Sequence, residues 1–207
     1  MLKINEIFHS IQGEGFFIGI PMIFIRFGNC NLRCSWCDTK YAWEEWEEKS
    51  VEEILQIIGN YKSKWVCITG GEPLLQNDIY KLINFLIEKN CKVLIETNGS
   101  LSIEEIPCEE SIFIDLDIKT PSSGMEKKMN FKNVELLKEI DYVKFVIKDD
   151  NDYEYSKKIL KEYDIKNVVF QCEDNIKQVS EKVLSDKLNV KVLPQLHKII
   201  WKEKRGV

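Results

Sequence analysis

The sequence predicts an α/β fold, a partial (open) β/α barrel of about six mainly parallel strands with outer helices. Three observations predict it. Apolar runs of strand length alternate with longer segments of helical period, the pattern of successive βα units and a parallel sheet. The main strands number about six, too few for the eight of a closed barrel. Each unusual polar cluster follows a strand, at the end where parallel β/α folds collect functional groups. An ordinary open twisted sheet shares this alternation and stands as the second architecture.

The elements follow in order. Residues 22–27 form the first apolar run and read as a strand. Ser50 with Glu53 is a capping box, and the helix it starts puts Val51, Ile54, Leu55 and Ile58 on one face. Residues 65–69 read as a strand, and Ile79, Leu82, Ile83 and Leu86 have the spacing of a helix. Residues 92–96 and 112–118 are strands, 134–140 a helix and 142–147 a strand. A helix over 153–163, a strand over 167–171, a helix over 176–188 and a short strand over 190–193 complete the chain.

The 207 residues are 44% hydrophobic, enough for a real core, and no repeat or low-complexity linker divides them. One domain over 1–207 is expected. Charges of both signs are interspersed and the net charge is -5, so bulk nucleic acid is not an expected partner. No apolar run reaches the length of a membrane span, and the opening Met1-Leu2-Lys3-Ile4-Asn5-Glu6 does not read as a signal peptide. With seven cysteines, an odd number, the expectation is reduced thiols in a cytoplasmic setting and no membrane partner.

Three of those cysteines, Cys30, Cys34 and Cys37, lie in one loop with C-x3-C-x2-C spacing. A four-iron cluster usually takes four cysteines, so three leave one iron with an open position that S-adenosylmethionine can fill. Zinc is the competing reading, but structural zinc sites pair two such motifs. Here Cys67, Cys91, Cys108 and Cys172 are isolated, and only His9 and His197 offer imidazole.

Other motifs complete the rim. Gly70-Gly71-Glu72-Pro73 lets a ligand approach the backbone and offers carbonyls and a carboxylate to an amino group; alone it is also a tight turn with proline opening a helix. Thr39 is a weak magnesium ligand or a turn cap, and its chemistry alone favours the cap. Arg26, embedded in an apolar run, requires an acidic partner, which is either a protein glutamate or a ligand carboxylate. Ser10-Ile11-Gln12-Gly13-Glu14-Gly15 is a polar loop of low specificity. Asp117-Ile118-Lys119 and Ser122-Ser123-Gly124 suit a ribose or carboxylate, or an ordinary loop. His197 reads as structural, having no partner nearby in sequence.

The cysteine loop with Gly70-Gly71-Glu72-Pro73 resembles the radical S-adenosylmethionine superfamily. The finer resemblance is to the 7-carboxy-7-deazaguanine synthase family. It is carried by Ser10 to Gly15, Arg26-Phe27, Cys37-Asp38-Thr39, Glu96-Thr97-Asn98-Gly99, Lys119 with Pro121-Ser122-Ser123-Gly124, and the ending from Leu196. It runs nearly end to end.

The resemblance implies a carbon–nitrogen lyase. Its substrate is 6-carboxy-5,6,7,8-tetrahydropterin, and its products are 7-carboxy-7-deazaguanine, for queuosine or archaeosine of tRNA, and ammonia. It implies a 4Fe-4S cluster on Cys30, Cys34 and Cys37, and Mg2+ on Thr39. The pterin falls to Ile11, Gln12, Gly13, Arg26 and Thr69. S-adenosylmethionine, used catalytically, falls to Gly71, Asp117, Ile118, Lys119, Gln171, Cys172, Glu173 and Asp174. Cys172-Glu173 departs from the Gln-Pro type of some relatives. A homodimer and an electron donor such as flavodoxin or ferredoxin are implied as partners.

Two rivals stand beside this reading, and the first shares the cysteine spacing. A radical-generating activase would dock a partner protein and would not need the Gln12, Arg26 and Thr39 set. A cluster-bearing electron carrier would have no use for an amino-acid clamp.

Overall fold

Nine strands form a single sheet among the residues described by this computed structural model, 1–202 and 204–207. In chain order the elements are β1 (Leu2–Ile11), β2 (Pro21–Phe27), β3 (Glu47–Lys49), α1 (Val51–Ile58), β4 (Trp65–Gly70), α2 (Ile79–Glu88), β5 (Lys92–Thr97) and β6 (Ile112–Asp117). Then come α3 (Lys132–Glu135), β7 (Tyr142–Ile147), α4 (Asp150–Glu162), β8 (Val168–Cys172), α5 (Ile176–Asp186), β9 (Lys191–Pro194) and α6 (Leu196–Trp201). The order across the sheet is β3-β1-β2-β4-β5-β6-β7-β8-β9. From β2 to β9 every pairing is parallel, whereas β1 pairs antiparallel with both β2 and β3. This mostly parallel sheet with helices agrees with a partial β/α barrel.

The two faces of the sheet follow from side chains alternating along each strand. One face carries Ile25, Ile68, Ile95, Leu116, Phe145 and Phe170 into a continuous core with the apolar stripes of the helices, including Ile54, Leu82 and Leu86. The other face changes character along the strand. Near the strand starts it is apolar, with Met22, Phe24, Cys67, Leu94, Tyr142 and Val169 in a second cluster. Two residues further along the same face come Arg26, Thr69, Glu96, Lys144 and Gln171.

The β1–β2 connection plugs the apolar end. Phe17 lies 5.0 Å from Trp65 and 4.8 Å from Phe113 between ring centroids, and Phe16 stacks on Tyr142 at 4.8 Å. Gly15 makes the entry turn at φ +67°, and a Cβ there would fall 2.2 Å from the Tyr142 hydroxyl.

Four features differ from the sequence expectation, one being the closing helix α6, which follows the last expected strand. β1 was not expected; a register shift between Ile4 and Glu6 interrupts its alternation. β3 is three residues of Glu and Lys, without an apolar signal. The helix expected over 134–140 is confined to Lys132–Glu135. Side chains compete with the helix there. The buried Asn133 amide donates to the carbonyls of Gly99 and Leu101, and Asp141 accepts from the backbone N–H of Lys138 and Ile114.

Gly15→Ala combines a left-handed backbone with a contact that real Cβ atoms do not make. It is expected to destabilise the fold by roughly 2 kcal/mol or more, measured by urea unfolding.

Candidate functional site

A cavity of about 270 Å³ opens where the inner face turns polar, a volume just under the usual range for small-molecule clefts. Its wall includes all three cysteines of the loop that follows β2. Cys34 is buried, Cys30 and Cys37 are partly so, and none is in a disulfide. Burial pushes the Cys30 thiol up and the Cys34 thiol up to about 11, so without a metal they are neutral at ordinary pH. The loop is shaped by its own polar groups. Arg33 donates to the carbonyls of Cys30 and Leu32 at 2.7 and 2.9 Å. The Leu32 N–H and the Asn98 amide point at the Cys30 sulfur at 3.4 and 3.7 Å. Ser35 and Trp36 donate to Ser122 at 2.6 and 2.9 Å, anchoring the loop on the turn after β6.

Three thiols on one loop, with N–H donors aimed at sulfur, fit a cluster. Among the described residues no fourth cysteine reaches the cavity wall. Cys67 lies in the apolar cluster below, and Cys172 faces the helices.

The glycine turn leaving β4 locks onto this loop. Gly71 N–H donates to Phe27 O and Glu72 N–H to Asn29 O, both at 2.9 Å. A Cβ on Gly71 would fall 1.9 Å from the Asn29 carbonyl oxygen, so only glycine fits. The Glu72 carboxylate is not offered to an amino group, contrary to the sequence expectation. It is fully buried and accepts from Leu74 N–H, Thr97 Oγ1 and Asn98 N–H at 3.0, 2.9 and 2.7 Å. Its role is to brace the next strand end.

The cavity floor joins neighbouring strands. Glu96 accepts from Gln12 Nε2 at 2.9 Å and from Thr69 Oγ1 at 2.5 Å. Lys144, 5% exposed, lies 2.9 Å from Glu14, 3.0 Å from Asp115 and 3.5 Å from Asp117. Burial alone would raise the Glu14 pKa, but Lys144, His197 and the hydrogen bonds from Lys144 and Gln195 outweigh it and hold it at about 2. Asp115 lies deeper, and burial lifts it to about 7 despite Lys144, with Glu96 and Asp117 adding to the rise. Burial also opposes the charge of Lys119, yet Asp117 at 3.1 Å and Cys34 raise its pKa.

Arg26 finds a protein carboxylate, Glu6, with Nε to Oε1 at 2.7 Å, and it still lines the cavity. Thr39 precedes the 3-10 turn Lys40–Trp43 but makes no cap hydrogen bond; its hydroxyl lies 3.6 Å from the Cys37 sulfur. Ligand atoms of Glu14, Asp38 and His197, which line the same cavity, lie within 4.8 Å of one another.

The structure brings Ile11, Gln12, Gly13, Arg26, Thr39, Thr69, Gly71, Asp117 and Lys119 to this cavity. Of Gln171, Cys172, Glu173 and Asp174, only Glu173 lines it, paired with both Lys148 and Lys198. Gln171 holds Gly15 N–H and Leu193 O at 3.2 Å, and Asp174 is exposed. The Ile118 side chain belongs to the outer core. Ser122 receives the cysteine loop and itself donates to Asp152, so it acts as a loop brace.

Several cavity residues carried no expected role, among them Glu14, Glu96, Lys144 and Gln195, and His197 was read as structural. Lys144 had a signal: it stands alone in the apolar run of β7, as Arg26 does in β2.

A model of the radical SAM superfamily matches residues 24–170. The chain is 42% identical over 209 residues to the 7-carboxy-7-deazaguanine synthase of Thermoplasma acidophilum, with 100% of each covered. It is 39% identical over 206 residues to the protein of that name from Methanospirillum hungatei, covering 96% of this chain and 85% of the other. The crystal structure of QueE from Escherichia coli superposes with a TM-score of 0.80 at 26% identity, over 95% of this chain and 94% of that one.

Lys144→Met tests the electrostatics of the floor. Asp115, already lifted by burial, loses the cation that moderates its pKa and rises further above its unfolded value, while Glu14 loses the main partner that holds it low. The folded state then holds extra protons, and stability falls as pH rises through that interval. The variant is expected to lose about 3–5 kcal/mol near pH 8 and markedly less near pH 5, measured by urea unfolding at both values.

Proposed function

The chain belongs to the radical S-adenosylmethionine superfamily and, within it, to the 7-carboxy-7-deazaguanine synthases, and from that premise we propose how its cavity contracts 6-carboxy-5,6,7,8-tetrahydropterin to 7-carboxy-7-deazaguanine and ammonia. The protein is an enzyme of this radical type, using a 4Fe-4S cluster and S-adenosylmethionine, with a small-molecule substrate and an external reductant. Its product serves deazaguanine nucleosides of tRNA such as queuosine. The observation that carries the assignment of roles is that the three-cysteine loop and the Gln12–Glu96–Thr69 floor share a single cavity. The activase and carrier readings leave that floor unexplained.

Cys30, Cys34 and Cys37 would hold the cluster. Together with S-adenosylmethionine, the cluster supplies one-electron chemistry that removes a hydrogen atom from carbon. Product and ammonia together contain every atom of the substrate, so the conversion needs no net oxidant.

The rest falls to the chain's own groups. Arg26 presents a guanidinium fork that suits the substrate carboxylate. Glu96, steadied by Gln12 and Thr69, offers its remaining lone pairs to the N–H and amino donors on the pterin edge. Ile11 and Gly13 shape the wall beside that edge. Mg2+ is assigned to Thr39, supported by a hydroxyl not used as a cap and by the carboxylates of Glu14 and of its chain neighbour Asp38 on the wall of the same cavity.

S-adenosylmethionine is assigned to Gly71, Asp117, Lys119 and Glu173. Ile118, Gln171, Cys172 and Asp174 would contribute through the main chain or as support. The proposal extends to one domain over 1–207, a homodimer, a flavodoxin or ferredoxin as reductant, no direct contact with nucleic acid, and a cytoplasmic setting. No helix among the described residues is long and apolar enough to cross a membrane.

The test is an anaerobic assay of the cluster-reconstituted protein with reductant, Mg2+, S-adenosylmethionine and the carboxypterin. The expected result is 7-carboxy-7-deazaguanine and ammonia in equal amounts, with S-adenosylmethionine largely recovered. Arg26→Ala should keep the cluster's absorbance and lose at least about tenfold in kcat/KM. Formation of 5′-deoxyadenosine without the deazaguanine would assign a different substrate. An intact cluster with neither product would point to a carrier.

A further inference from the structure

Arg26 and Glu6 face each other across the β1–β2 ladder, beside the register shift between Ile4 and Glu6. The shift aims Glu6 at the guanidinium. One oxygen, Glu6 Oε1, accepts from Arg26 Nε at 2.7 Å and from the Tyr41 hydroxyl at 3.2 Å. Both side chains of the ion pair are 17% exposed, and the guanidinium carbon lies 5.7 Å from the centre of the Phe8 ring. Among the described residues neither Nη of Arg26 donates a hydrogen bond. Glu6 therefore occupies the inner corner of the fork and leaves the paired Nη donors for the cavity, which Arg26 lines. Tyr41 is fixed in turn: the Arg205 guanidinium lies 3.6 Å over its ring, and both its Nη atoms reach Glu45 at 3.1 and 3.2 Å.

We infer that Glu6, held by Tyr41, is a positioning residue that fixes Arg26 with its Nη edge toward the substrate carboxylate, and so sets the preference for a carboxylated pterin over one without that group. The inference rests on Arg26 reading the carboxylate, as proposed above. An arginine on a long, flexible stem loses much rotamer freedom when it grips an anion. A bond at Nε removes that freedom before the substrate arrives, which is how pre-organisation raises affinity. Charge alone predicts the opposite effect. Glu6 is an anion beside a site for an anion, so a purely Coulombic role would make its removal tighten binding. The sign of the change therefore separates positioning from charge.

The experiment uses the cluster-reconstituted enzyme. It measures KM for 6-carboxytetrahydropterin and Ki for tetrahydropterin, the analogue without a carboxylate, in Glu6→Ala, Glu6→Gln, Tyr41→Phe, Arg26→Met and the Glu6→Ala/Arg26→Met double variant. Glu6→Ala is expected to raise KM about tenfold, the loss of one charge-assisted hydrogen bond, and to leave Ki unchanged. Glu6→Gln keeps an acceptor oxygen and should recover part of the loss. In the Arg26→Met background Glu6→Ala should have no further effect, because its influence passes through Arg26.

If Glu6→Ala fails to fold, Tyr41→Phe carries the test, with a smaller rise in KM of about threefold expected from one neutral hydrogen bond. A lower or unchanged KM in the Glu6 variant, or a parallel rise in Ki, overturns the positioning role while leaving the Arg26 assignment intact. An unchanged KM in Arg26→Met overturns that assignment and the inference with it.

Discussion

Everything in the site depends on the two-residue period of the parallel strands and on how their registers line up. Arg26 pairs with Thr69, Glu96 with Asp115, and Asp117 with Lys144 across adjacent strands. A parallel ladder brings such positions to one level, and alternation turns them to one face. A slip of a single residue would send this polar row into the helix-packed core and bring Ile25, Ile68 and Ile95 into the cavity. The outer face resists that slip because its residues are buried against the helices with almost no exposure. The core therefore secures the chemistry indirectly, by fixing register.

The same geometry obliges the protein to bury charge. Removing ions from water costs several kcal/mol each after relaxation, and a pair repays it only with good geometry. Here one ammonium is shared by three carboxylates, which do not respond alike. Glu14, at the cavity wall with Gln195 and His197 as additional partners, stays ionised to low pH, whereas Asp115 beneath it is lifted toward neutrality. Oδ1 atoms of Asp115 and Asp117 are buried without a hydrogen-bond partner among the described residues. Such strain belongs where polar groups are arranged for a ligand rather than for the fold.

Much of this was legible in the chain. Strands β2 and β4 to β8 announce themselves as apolar runs, and the cysteine and glycine motifs name their own chemistry through spacing. What stayed hidden depends on contacts between distant residues. β1 carries both Glu6 and the start of the Gln12 loop, yet its irregular register breaks the alternation that identifies a strand. Glu72 looks like a ligand in its motif, but three donors from residues far along the chain or around the turn claim it. Cys172 and Ile118 lie in functional-looking stretches, and only the phase of the strand shows that they face the helices. Buried Lys144 is the exception, since an isolated cation in an apolar strand is readable in the same way as Arg26.

Two segments far apart in the chain border the same space. The β1–β2 loop fills the lower end with Phe16 and Phe17, while residues of the final segment line the other end. Leu196 N–H donates to Gly13 O at 2.8 Å, Gln195 reaches Glu14 at 2.6 Å, and a Cβ on Gly13 would strike the His197 ring. The tail is thus seated on the loop that carries Gln12, and Arg205 fastens it again at Tyr41 and Glu45. An open barrel of parallel strands leaves its inner face accessible from two directions, and carbon-radical chemistry requires that water and stray hydrogen donors be excluded. An aromatic plug at one end and a tail tied to substrate-side residues at the other narrow both approaches without the strands of a closed barrel. The tail then rests on the loop and side chains proposed to read or position the substrate, so seating the tail and orienting the polar wall depend on the same contacts.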